Sequence, residues 1–123
     1  MAKLELEGLE ELIDAVQKMG KEGRKIENKA LKEAGGVIKE AIQQEAPEGT
    51  GKLKKSITVS NIKTKDGVRY VEVGPNKEGW YGRFVEFGTV KMRANPFMAR
   101  GYERAKDQAL AVIKEELKRG LGL

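Results

Sequence analysis

The sequence predicts an α+β fold: a long N-terminal helical region and a C-terminal helix packed on a small antiparallel sheet, with a short aromatic helix before the last helix. Three observations predict it. Apolar residues recur at helical spacing before Pro47 and again after Pro96, and two β-branched stretches between them flank an Asp66-Gly67 turn. The run WYGRFVEFGTVKMRANPF, from Trp80 to Phe97, carries Trp80, Phe84 and Phe87 at i, i+4 and i+7. A chain of 123 residues is expected to form a single domain over 1–123.

The elements follow in order. Lys3 to Glu7 alternates leucine with charge and suits an edge strand. Leu9, Leu12, Ile13 and Val16 mark a first helix, with Glu10, Glu11 and Asp14 in its early turns and Gly20 as its C-terminal cap. A second helix is expected from about Lys21 to Ala46, on the stripe Ile26, Ala30, Ala34, Val37 and Ala41 widened by Leu31, Ile38 and Ile42. Gly35-Gly36 within it costs about 1 kcal/mol per glycine, so either the helix bends there or another backbone comes close. PEGTG, Pro47 to Gly51, reads as a loop.

Ser56 to Thr64 and Val68 to Gly74 read as strands joined at Asp66-Gly67. Ile57 and Val59 share a phase that Ile62 breaks, so a bulge near Ser60 or Asn61, or a strand end, is expected. Residues 74–79 form a second loop. The aromatic helix then places Trp80, Phe84 and Phe87 on one packing face, and Gly88 provides a left-handed cap. Thr89 to Ala94 is a loop or a short strand. Asn95 suits an N-cap and Pro96 the first helical position of a terminal helix reaching about Lys118, with Met98, Tyr102, Ala105, Ala109, Val112, Ile113 and Leu117 on its apolar face.

Composition narrows the chemistry. The chain has neither cysteine nor histidine, which removes disulfides, thiolate metal sites, the Ser-His-Asp arrangement and the commonest zinc ligand. No apolar stretch approaches the roughly 20 residues a membrane span needs, and MAKLELEGLEEL lacks the apolar core of a secretion signal, so no membrane contact and cytosolic synthesis are expected. No cofactor is expected either. Gly49-Thr50-Gly51-Lys52 lacks the spacing and the following Ser or Thr of a phosphate loop. Glu86, flanked by Phe84, Val85 and Phe87, is the acid that stands out; it is expected to cap, or to pair with Arg83, Arg93 or another subunit, rather than to act as a base.

Charge is concentrated in one place. Lys52, Lys54, Lys55, Lys63, Lys65 and Arg69 stand against Asp66 alone, and this segment accounts for the whole formal charge of +5. Such a segment could touch a partner or phosphates, with Trp80 and Tyr81 available to stack on bases, or could simply keep a hairpin soluble.

TGKLKKSI at 50–57, VGP at 73–75 and WYGRFVEFGTVKMRANPFM at 80–98, in that order, resemble head-to-tail joining and tail-completion proteins (minor tail components) of long-tailed bacteriophages and prophages. The resemblance implies a structural virion assembly protein at the head-to-tail joint or tail terminus, not an enzyme. It implies self-association in a ring and contact with connector, tail-terminator or tail-tube proteins. The expected locations are the host cytoplasm during assembly and the virion neck or tail afterwards. The signature singles out Thr50, Gly51, Leu53, Ser56, Tyr81, Phe84, Glu86, Phe87, Gly88, Thr89, Pro96 and Phe97 as residues that shape the fold and an assembly edge. The alternatives are a nucleic-acid-binding module using 52–69, with non-specific DNA contact, and a small catalytic or anti-host regulatory protein.

Overall fold

The computed structural model describes residues 2–5 and 9–123. Its elements are β1 (Ala2–Glu5), α1 (Glu10–Gln17), α2 (Lys21–Glu45), α3 (Lys52–Ser56), β2 (Ile57–Val59), β3 (Lys63–Lys65), β4 (Val68–Pro75), a 3-10 turn (Lys77–Gly79), α4 (Gly82–Phe87) and α5 (Phe97–Gly120). The α+β architecture is the expected one. Leu6 and Glu7 of the expected first strand lie outside the described residues.

β4 is the central strand. It pairs antiparallel with β1 on one side and with β2 and β3 on the other. Between Val59↔Val73 and Lys63↔Tyr70, residues 60–62 oppose only 71 and 72, which is the bulge that the phase change predicts. Ser60 fills it: its hydroxyl accepts from the Glu72 amide at 2.8 Å while its own amide donates to the Glu72 carbonyl at 2.8 Å. The Asp66-Gly67 turn has positive φ at both residues, 52° and 78°, as a two-residue hairpin of this type requires. Ser56, expected to open the strand, instead ends the short helix α3.

Val71, Val73 and Ile57 are buried with the apolar stripe of α2, and α2 runs unbroken through Gly35-Gly36. What comes close at Gly35 is the side chains of Val59 and Val71, not another backbone. A Cβ on Gly35 would stand 2.7 Å from Val59 Cγ1, so its absence lets the helix settle on the sheet. α5 lies antiparallel along α2: Arg100 and Arg104 near its start reach Glu45 at the end of α2, and Glu116 near its end reaches Lys29 near the start of α2. Ala105, Ala109, Ile113 and Leu117 close the core from that side. Among the described residues no helix is long and apolar enough to cross a membrane.

Candidate assembly surface

Of the signature residues, Thr50, Gly51, Leu53 and Ser56 build a seat for the chain that follows β4. Gly51 takes φ 80° to start α3, and the Thr50 hydroxyl accepts from the Lys52 amide at 3.3 Å. This turns Leu53 and Ser56 inward, where both are buried. The Ser56 hydroxyl donates to the Leu53 carbonyl at 2.6 Å, and its own carbonyl accepts from the Asn76 amide at 2.8 Å. The chain beyond Asn76 therefore rests on α3. Gly82 continues the contact: a Cβ there would sit 2.8 Å from Pro75 Cγ and 3.1 Å from Leu53 Cδ1, so α4 comes this near only because position 82 carries no side chain.

That approach fixes which way α4 faces. Gly82 and Glu86 are buried and Tyr81 and Val85 pack partly against the core, so the opposite side, carrying the larger rings, looks outward. The expected packing face is thereby corrected. Trp80, Phe84 and Phe87 do gather on one side, but Trp80 is 67% exposed, Phe84 37% and Phe87 74%. Trp80 sits edge-on to both Tyr81 and Phe84, and the Arg83 guanidinium lies 5.2 Å from the Phe84 ring centre. Gly88 has the expected positive φ, 77°, but with ψ 175° it sends the chain outward in an extended direction. A tight turn follows, in which the Thr89 amide donates to the Met92 carbonyl at 2.9 Å. Val90 at its tip is fully exposed and Met92 is exposed beside it.

Glu86 anchors this apolar segment. Its carboxylate accepts from the Met98 amide at 2.8 Å and the Ala99 amide at 3.2 Å, the free N–H groups at the start of α5. Capping is one of the roles expected of Glu86; pairing with Arg83 or Arg93 does not occur among the described ion pairs. Asn95 is not the N-cap. The helix starts after Pro96, which has φ −77° and ψ 64° and makes no side-chain cap, while the Asn95 side chain accepts from Arg100 at 2.7 Å and the Asn95 backbone N–H donates to the Val85 carbonyl at 2.8 Å. A carboxylate reaching over from α4 supplies what the sequence assigned to the local asparagine. Phe97, fully buried, roots the start of α5 in the core.

The basic residues do not form one patch. Lys52, Lys54 and Lys55 lie on α3, which leads into β2 against the end of β4, whereas Lys63 and Lys65 lie on β3 against its start. Arg69 turns to the helical layer, pairing with buried Glu27 at 3.1 Å and donating to Asn28 at 2.9 Å. Burial raises the Glu27 carboxyl above its ordinary value, opposed by the Arg69 charge. Lys63 meets Glu72 at 2.8 Å, and that hydrogen bond holds its amine above the usual value. Lys54 pairs with Glu48 at 3.5 Å. Sequence reasoning missed the Glu27–Arg69 pair; a glutamate amid the apolar stripe of α2 was the signal.

Among the described residues no group of three or more His, Cys, Asp or Glu converges as a metal site would, and no buried side-chain nitrogen or oxygen lacks a hydrogen-bond partner. Segment 80–92 carries five exposed large apolar side chains, Trp80, Phe84, Phe87, Val90 and Met92. A family model described as bacteriophage HK97-gp10, putative tail-component, matches residues 10–88, well over half the chain. The protein belongs to this HK97-gp10-like family. The matched span takes in the α3 seat and α4 and ends at Gly88, so the Val90 tip, Pro96-Phe97 and α5 lie beyond it. Within this HK97-gp10-like chain Glu86 bridges the two parts, binding from inside the span to Met98 and Ala99 outside it. No curated protein and no solved structure matches the chain.

Proposed function

We propose that this HK97-gp10-like protein is a structural component that works by contact, without turnover, in an oligomeric ring at the head-to-tail joint or tail terminus, and that segment 80–92 is its assembly surface. One observation carries the reading: Trp80, Phe84, Phe87, Val90 and Met92 are exposed together on a segment held at its start by the α3 seat and at its middle by the Glu86 cap. An exposed apolar patch on a rigid base marks a surface that another protein covers. Membership of a phage tail-component family supports the placement, with connector, tail-terminator or tail-tube proteins as neighbours.

The test is a Phe87→Ser, Val90→Ser double variant in the phage. It should fold normally, as judged by circular dichroism and urea unfolding, yet leave heads and tails unjoined; wild-type particle yield from the variant would refute the assembly surface. DNA contact through 52–69 is the weaker reading, because Lys54, Lys63 and Arg69 are engaged within the chain.

A further inference from the structure

Within 80–93 the exposed charges are all of one sign. Arg83, Lys91 and Arg93 are exposed, none forms an ion pair within the chain among the described residues, and the segment's acid, Glu86, is buried and committed to the α5 amides. A partner that covers it must offer apolar surface bordered by carboxylates. The chain itself has one wall of that kind, on α1, facing a basic wall on α5. Between α1 and α5 lies an open groove of about 510 Å³ lined by Leu9, Glu10, Glu11, Leu12, Lys114 and Lys118. Leu9 and Leu12 are half-buried there, and Glu10 and Glu11 are exposed without an ion pair in the chain among the described residues.

Position makes the match usable between copies and unusable within one. The groove flanks the C-terminal turns of α5 at Lys114 and Lys118, while the apolar segment is tied to its N-terminal turn at Met98 and Ala99. The 15 to 20 residues of helix between them span about 22–30 Å at ~1.5 Å per residue. A molecule with complementary surfaces at opposite ends associates head to tail, and that contact repeats until it closes into a ring or extends as a filament. Lys114 and Lys118 on the α5 wall repel the segment's cations, so docking has one favoured orientation, with Lys91 and Arg93 towards Glu10 and Glu11.

The geometry points to a second copy of this chain as the occupant of segment 80–93: its aromatic and basic side chains seat in the α1/α5 groove of the next copy, with Lys91 and Arg93 facing Glu10 and Glu11. This rests on the reading of 80–92 as an assembly surface and adds the partner and the register.

Charge reversal tests it on the full chain by sedimentation velocity over a concentration series. Wild type should associate. Lys91→Glu with Arg93→Glu, and separately Glu10→Lys with Glu11→Lys, should each shift association to at least about tenfold higher concentration. Mixing the two variants should restore it, because every junction in an alternating chain then pairs opposite charges. Circular dichroism confirms that each variant is folded. A wild type that stays monomeric at the highest attainable concentration, or a mixture no better than its components, overturns the self-contact. If the Glu10, Glu11 variant associates and assembles normally while the Lys91, Arg93 variant fails to join heads to tails, the occupant is another tail protein and only the assembly-surface reading survives. If both variants join particles normally, both readings fall.

Discussion

α4 and α5 both present apolar side chains at helical spacing, yet α5 buries its stripe and α4 exposes its own. Phe97, Ala105, Ala109, Ile113 and Leu117 lie in the core, whereas Trp80, Phe84 and Phe87 face outward. The difference lies on the opposite side of each helix. α5 has a charged outer face that belongs in water, including Glu103, Asp107, Lys114 and Lys118. α4 has Gly82, which fits against Pro75 and Leu53, and Glu86, whose carboxylate is held by two helix amides. A close backbone fit and a charge-assisted cap thus orient a single-turn helix against the pull of its rings. Periodicity tells which residues share a face; the neighbours decide where that face points.

The comparison breaks most visibly at two phenylalanines. Phe97→Ala should destabilise by about 3–5 kcal/mol in urea unfolding, because it empties a fully buried site, whereas Phe87→Ala should stay within about 0.5 kcal/mol. Equal losses would mean that the α4 rings belong to the core after all. Glu86→Ala comes next, at about 1–2 kcal/mol from the lost cap. Hydrogen exchange should quicken at Met98 and Ala99 in that variant, and unchanged protection there would count against the carboxylate as the anchor.

The smallest effects are those of pH, and they have opposite sign at the two ends of α2. Glu45 is held below its ordinary value by the hydrogen bond from Arg100 and by Arg104, so its contribution is present near neutral pH and is lost as pH falls through its folded-state value. Glu27 is raised by burial, so the folded state holds its proton more tightly than the unfolded chain, and stability from this group declines as pH rises from the ordinary carboxylate range through its folded value. Between about pH 3 and 7, the melting-temperature advantage of wild type over Glu45→Gln should grow with pH, and that over Glu27→Gln should shrink. Parallel trends for the two variants would contradict the assignment.

The sequence by itself determined the class of fold, the extent of α2 and α5, the Asp66-Gly67 turn and the bulge, because each follows from periodicity or from backbone preferences within a few residues. It also marked the signature residues of the seat and singled out Glu86 as an organiser of contacts. Only the tertiary structure decided that Glu86, not Asn95, caps α5, that Arg69 turns inward to Glu27 and away from the lysines of its segment, and that the aromatic face is exposed. Those outcomes depend on residues 7 to 42 positions apart meeting in space: a carboxylate goes where unpaired amides are, and a ring goes outward where a glycine has already brought the other side of its helix into contact.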